Sequence, residues 1–177
     1  MITILSDHTR HEVGEGLDRE LREREIETQF ISLTDLNVGP CYSCGGCTDK
    51  TYGQCIHRDD ADIILPKLMR TDVLVMVTAV KWGSYSFKTK RVFDKCALIG
   101  DRHYYCQNGE LVKGKIGRVH TFMVIGVKEQ WQNDEKMAFK NLVEENIKIM
   151  NIKGNVYMVD NSNIGTCVES AVEVLSL

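Results

Sequence analysis

Five short runs of nearly continuous apolarity constrain this 177-residue chain more than any other feature: residues 2–5, Phe30 to Leu33, Val73 to Val77, Phe122 to Ile125 and Val156 to Val159. A strand with one wet face alternates apolar and polar residues. A run without alternation predicts a strand covered on both faces, as in a parallel sheet. The intervening segments keep helical spacing. Val13, Leu17 and Leu21 recur every four residues among charged neighbours, and Phe139, Leu142, Val143, Ile147 and Met150 keep three- and four-residue steps. Residues 59–70 form a further helical candidate, with Asp59 and Asp60 suited to its cap and first turn and Pro66 set to shorten or kink it. Residues 86–98 and 165–176 supply two more. Strands and helices therefore alternate, which predicts one α/β doubly wound domain over residues 1–177 with right-handed crossovers. A chain of this size buries roughly 70% of its unfolded surface. In such a sheet, ligands bind beyond the carboxyl ends of the strands where strand order reverses, which singles out the loops after residues 5, 79 and 126.

Charge narrows the partners. With 22 basic and 25 acidic residues the net charge is -3, so there is no surplus positive field and neither nucleic acid nor a membrane is expected as a partner. No apolar run approaches the ~18 residues of a membrane span, and the opening run is too short for the core of a signal peptide. The expected location is cytoplasmic, with thiols reduced. Seven cysteines in such a chain need a reason other than disulfide stapling.

Two connections are longer than a crossover requires: residues 34–58, and residues 99–117 with turn signals at Asn108-Gly109 and Lys113-Gly114. The first holds four of the cysteines. Cys41, Cys44 and Cys47 follow at two-residue intervals and Cys55 comes after seven further residues, while Gly45 and Gly46 let the backbone wrap closely. Thiolates at this spacing can point at one centre, and the run resembles ferredoxin-type iron–sulfur ligation more than a structural zinc site, which splits into two separated pairs. Zinc, a redox-active disulfide pair and inert thiols are the competing readings. Cys96, Cys106 and Cys167 are isolated and expected to be small buried or partly buried thiols. The histidines at 8, 11, 57, 103 and 120 show no repeated ligand spacing and are expected to be solvated or capping.

The stretch Pro40-Cys41-Tyr42-Ser43-Cys44-Gly45-Gly46-Cys47, with Gly53-Gln54-Cys55-Ile56 and Asp59-Asp60 after it, resembles the signature of the NAD(P)H-dependent FMN reductase superfamily. In pattern it is most similar to the iron–sulfur flavoproteins. The likeness continues through Ala79-Val80-Lys81-Trp82-Gly83-Ser84 and Lys90-Arg91-Val92-Phe93-Asp94-Lys95, where the family typically has a Pro-x-Tyr-Trp flavin loop and a Lys-x-x-x-Asp-Arg helix. Lys81 stands in place of the usual tyrosine and Ala79 in place of the proline. The resemblance implies a single flavodoxin-like three-layer domain with a parallel five-stranded sheet of order 2-1-3-4-5. It also implies FMN at the strand ends, and an iron–sulfur cluster, of the 4Fe-4S type, on Cys41, Cys44, Cys47 and Cys55. A homodimer or homotetramer, and NAD(P)H or ferredoxin as electron donor, are implied likewise.

The candidate flavin loops also have a chemistry of their own. A phosphate fits the turn from the first strand into the first helix, Ser6-Asp7-His8-Thr9-Arg10-His11-Glu12, where free N–H groups and the helix dipole favour an anion. Ser6 and Thr9 offer hydroxyls there, His8 lies within the turn, and Arg10 offers a charge-assisted contact. Asp7 and Glu12 would oppose it. At ~4–6 Å and an effective dielectric near 20, each repulsion is worth roughly a few kcal/mol before screening, comparable with the gain from Arg10. An ordinary capped helix N-terminus is the alternative. In the loop of Ala79, Val80, Lys81, Trp82, Gly83, Ser84 and Tyr85, Trp82 and Tyr85 are candidates to flank an isoalloxazine ring, and Gly83 and Ser84 let amides approach it. A surface aromatic is the alternative for Trp82. The loop Val127 to Asp134 lacks the glycine pair expected there, and Trp131 carries no assigned role.

With no Ser-His-Asp set, phosphate loop or zinc-protease motif, redox chemistry carried by cofactors is the remaining reading. The expectation is an iron–sulfur flavoprotein passing electrons between FMN and a cluster bound by the four cysteines of the 34–58 loop, NAD(P)H- or ferredoxin-linked. A cluster-free NAD(P)H:FMN or quinone reductase, and a non-enzymatic cluster- or zinc-binding module without flavin, are the alternatives.

Overall fold

The computed structural model describes residues 1–7, 12–51, 53–98, 104–114 and 117–176. In chain order the elements are β1 (Ile2–Ser6), α1 (Glu12–Glu23), β2 (Thr28–Ser32), α2 (Gly46–Asp49), α3 (Ala61–Leu68), β3 (Val73–Ala79) and α4 (Phe87–Lys95). There follow β4 (Tyr104–Gln107), β5 (Glu110–Lys113), β6 (Thr121–Val127), α5 (Asn133–Met150), β7 (Lys153–Val159) and α6 (Ile164–Leu175). Five strands pair in parallel in the order β2-β1-β3-β6-β7, which is the expected 2-1-3-4-5 once β4 and β5 are set aside.

The apolar runs of the three inner strands do what their lack of alternation predicts, while those of the edge strands β2 and β7 are only partly buried. Ile4, Val75, Val77, Met123 and Ile125 point to one face and pack with Val13, Leu17 and Leu21 of α1 and Val168 and Val172 of α6. Leu5, Leu74, Met76, Phe122 and Val124 point to the other, against Ile64 and Leu68 of α3, Val92 of α4 and Phe139 and Val143 of α5. Helices thus cover both faces of one sheet and bury it, the three-layer arrangement of a doubly wound domain. Gly126 on β6 lets α5 come close, since a Cβ there would overlap the Phe139 ring. Among the described residues no helix is long and apolar enough to cross a membrane.

Helix ends differ from the sequence reading for local reasons. α3 starts at Ala61 because Asp59 accepts the Ala61 N–H at 2.9 Å, two residues on, and it runs only to Leu68 with Pro66 inside it. α4 starts where the Ser86 hydroxyl accepts from the N–H groups of Lys88 and Thr89. The expected loop 99–117 contains structure: β4 and β5 form an antiparallel hairpin whose turn places Asn108 (φ 54°) and Gly109 (φ 81°) in the left-handed region. It leans on α5 through Lys148 to Glu110 at 2.8 Å and Asn151 to Gln107 at 2.9 Å. Cys106, expected to be at least partly buried, is exposed on this hairpin, because both strands of so small a sheet keep a wet face. Cys96 and Cys167 are buried as expected, and burial pushes the Cys167 thiol up to about 11.

Candidate functional site

At the carboxyl ends of β3, β6 and β7 lies an open cleft of about 1050 Å³, lined by Ala79 to Trp82, Val127 to Gln132, Glu135 and Asp160. Its near wall is a miniature hairpin. Lys81 and Ser84 exchange both backbone hydrogen bonds, at 3.1 and 3.0 Å, leaving Trp82 (φ 52°) and Gly83 (φ 70°) as a two-residue turn. Both positive φ values are what such a turn demands. Glycine meets the demand freely at 83, where a Cβ would fall 2.8 Å from that of Ala138. For tryptophan the left-handed region costs about 1–2 kcal/mol. Burial does not recover that cost, because Trp82 is 89% exposed. A strained aromatic held out over a cleft is the kind of feature that accumulates at functional sites.

The base of this hairpin is gripped by Asp7. Its carboxylate accepts from the Ala79 N–H at 2.8 Å and the Thr78 hydroxyl at 2.9 Å, and also from the hydroxyls of Ser86 and Thr89. Asp7 is buried, so it does not stand in the first loop as a free anion opposing a phosphate. Strand parity is the reason. The Asp7 N–H continues the β1–β3 pairing to the Val77 carbonyl, so its side chain follows Leu5 to the α4 face. Ser6 points the other way and is fully buried beside Gly14 of α1 rather than offered to a ligand. His8, Thr9 and Arg10 lie outside the described residues, while Glu12 opens α1 exposed.

Tyr85 is not available to flank a ring in the cleft. It is buried between Phe93 and Phe139, with centroids 5.8 Å away from each, and its hydroxyl accepts from Asn146 at 2.9 Å. Burial, partly offset by that hydrogen bond, pushes its hydroxyl up to about 12. Of the expected set, the cleft gathers Ala79, Val80, Lys81 and Trp82. The backbone of Gly83 and Ser84 completes the turn, and Lys81 is exposed. Trp131 donates its indole N–H to the Val159 carbonyl at 3.0 Å and packs on Phe139, so it closes the floor between β6 and β7. Lys128 is ion-paired to Glu135 beside it.

The cysteine loop forms a second centre. Cys41, Cys44, Cys47 and Cys55 line one small cavity of about 50 Å³, shared with His57 and with Asp94, Lys95 and Leu98 at the far end of α4. Gly45 (φ 71°) turns the chain into α2, which begins at the buried Gly46 against Ile56. In kind and number the donors are those of a four-thiolate site. Among the described residues, though, no three His, Cys, Asp or Glu side chains are already drawn together to hold one metal ion. The His57 ring packs at a tilt against Tyr42, with centroids 4.8 Å apart.

Sequence reasoning missed the two polar residues on the buried face of α4. Thr89, Val92 and Lys95 share that face at three-residue spacing. Thr89 meets Asp7, and Lys95, only 1% exposed, meets Asp59. Burial would raise the Asp59 carboxyl, but the Lys95 hydrogen bond and the N–H groups of Ala61 and Gly39 hold it below its ordinary 3.8. The available signal was a lysine at an apolar position of an amphipathic helix, which predicts a buried anion across from it.

A doubly wound sheet with its cleft at the carboxyl strand ends defines a flavodoxin-like domain. More narrowly, the chain belongs to the NADPH-dependent FMN reductase family, whose sequence model matches residues 8–163. It is 26% identical over 144 residues to an iron-sulfur flavoprotein of Methanosarcina thermophila, covering 81% of this chain and 66% of that protein. An iron-sulfur flavoprotein of Methanocaldococcus jannaschii is 37% identical over 75 residues, 42% of this chain and 38% of that one. The chain thus spans less than two thirds of these relatives. In fold it is similar to an FMN-dependent NADH-azoreductase from Bacillus anthracis solved with FMN (TM-score 0.71, 16% identity, 99% of both chains). It is also similar to an NAD(P)H:quinone oxidoreductase from Methanothermobacter marburgensis (TM-score 0.69, 16% identity, 97% and 95%).

Proposed function

We propose that this chain is a flavin-dependent oxidoreductase that binds FMN in the cleft at the ends of β3, β6 and β7 and pairs it with an iron–sulfur cluster on Cys41, Cys44, Cys47 and Cys55. The observation that carries the flavin half is the strained, braced hairpin of residues 79–84, which holds an exposed indole and an exposed lysine on the wall of a cleft of about 1050 Å³. Trp82 offers an apolar face to a flat conjugated ring. Lys81 offers a cation to the developing negative charge of a reduced flavin. The family match and the FMN-bound neighbour in fold support the same cofactor.

The four thiols around one cavity, together with the iron-sulfur flavoproteins among the relatives, support the second half. FMN exchanges electrons in pairs or singly and a cluster exchanges them singly, so together they would convert a two-electron donor's reducing power into one-electron steps. NAD(P)H or ferredoxin is the donor this reading expects, and a homodimer or homotetramer the assembly. The small cavity favours one further reading of the same thiols, a single zinc ion.

Anaerobic purification of the full chain tests this. The expected result is uptake of one FMN per chain with flavin absorption bands, and iron with acid-labile sulfide in the same sample. Failure to take up FMN at micromolar concentration would overturn the flavin half. Zinc without iron or sulfide would replace the cluster with the second reading.

A further inference from the structure

The loop that carries the four cysteines is closed at its neck by hydrogen bonds from its own backbone. Asn37 donates its N–H to Asp60 Oδ2 at 2.6 Å, and the Asp60 N–H returns to the Asn37 carbonyl at 3.3 Å. Further along the loop, Gly39 donates to Asp59 Oδ2 at 2.7 Å while Asp59 Oδ1 takes the Ala61 N–H at 2.9 Å. The remaining partner of Asp59 comes from elsewhere in the fold: Lys95, at the last turn of α4, forms an ion pair with Oδ2. Lys95 also lines the cavity of the four thiols, with its side chain sealed from solvent. Asp59 is its one hydrogen-bond partner among the described residues, although an ammonium has three N–H donors.

A buried lysine is costly unless it is paired, and an apolar residue of similar length would fill the site as well. Its presence beside four sulfurs points to work at that cavity. Ligands on a long loop bind a metal well only if something else fixes the loop, and groups one step behind the ligands commonly supply that fixing. We propose that the Asp59–Lys95 ion pair is the brace that holds the four-cysteine loop closed against α4 before any metal arrives, so that both are positioning residues of the thiol site. The proposal rests on reading Cys41, Cys44, Cys47 and Cys55 as the ligand set. The pair fixes the loop's exit to the helix whose other end carries Ser86 and the flavin hairpin.

Cobalt(II) added anaerobically to the reduced, metal-free full chain is the probe, read by thiolate-to-cobalt charge-transfer absorption and the visible bands of tetrahedral cobalt. Asp59→Asn and Lys95→Met each leave one partner alone, so the double variant D59N/K95M, which removes both charges together, guards against loss of folding. The expected result is a roughly 10–100-fold weaker cobalt affinity in the double variant and in Lys95→Met, the range for groups that orient metal ligands. Lys95→Arg should recover most of the affinity and the spectrum. Amide exchange of residues 40–58 in the metal-free protein should speed up in the double variant and stay slow in Lys95→Arg. Wild-type cobalt affinity and spectrum in folded D59N/K95M would overturn the brace while leaving the thiol site intact. Absence of a thiolate–cobalt spectrum in the wild type would overturn the thiol site itself, and the brace with it.

Discussion

Replacing Asp7 by alanine removes the acceptor for four donors drawn from two segments, Thr78 and Ala79 at the end of β3 and Ser86 and Thr89 around the start of α4. The Ala79 amide cannot turn away, and leaving it unsatisfied in a buried place costs about 1–3 kcal/mol. The three hydroxyls can rotate, but each gives up a hydrogen bond to a charged acceptor, worth about 1.5–3 kcal/mol before compensation. Against this, alanine no longer buries a carboxylate that has no cation among those partners. The net loss should be about 3–5 kcal/mol, a large fraction of the ~5–15 kcal/mol that a domain possesses. Asp7→Asn keeps an oxygen for the Ala79 N–H and presents an amide to hydroxyls that can reverse their bonds, so it should lose only about 1–2 kcal/mol. Urea unfolding followed by far-UV circular dichroism, with an unchanged slope, measures both. In thermal melts the alanine variant should fall by on the order of 10 °C. An alanine variant within about 1 kcal/mol of wild type would refute the reasoning, because it would mean that the hairpin base does not depend on this carboxylate.

Three further outcomes are expected from the geometry. Trp82→Ala should leave stability unchanged, since it removes none of the buried packing and its Cβ keeps the left-handed backbone as strained as before, while weakening FMN binding by roughly tenfold in fluorescence titration; equal affinity would remove Trp82 from the flavin site. Lys81→Gln should lower the flavin midpoint potential, and an unchanged potential would show that the ammonium does not face the ring. Alkaline conditions should destabilise the fold: Tyr85 and Cys167 hold their protons to about 12 and about 11 when folded, above their ordinary 10.0 and 9.0. The unfolded chain releases these protons first, so stability is full below about pH 9 and falls as pH rises through roughly 9 to 12, by roughly 2–3 kcal/mol for Tyr85 and by less for Cys167, whose thiol is screened in part by solvent. Tyr85→Phe should flatten the part of that loss between about pH 10 and 12.

Much of the fold is legible in residue order because burial on both faces of a parallel sheet leaves a one-dimensional trace. Runs such as Val73 to Val77 need no knowledge of their neighbours to be recognised, and Cys41, Cys44 and Cys47 stand out through spacing alone. Polar residues inside the fold leave no such trace. Asp7 reads as a charge in a ligand loop until the parity of β1 turns it toward α4. Tyr85 reads as a flavin partner until Phe93, Phe139 and Asn146 enclose it. Asn108-Gly109 reads as a turn, but whether the flanking residues pair depends on α5 giving the hairpin a surface to lean on.

By itself, then, the sequence determined the sheet, the helices that cover it, and the set of thiols, since each follows from periodicity or spacing along the chain. Only the tertiary structure decided which side chains face the cleft and which brace it. Those choices depend on contacts between residues far apart in sequence, Asp7 with Thr89 and Asp59 with Lys95, where a buried charge is stable only if the fold brings its partner to it.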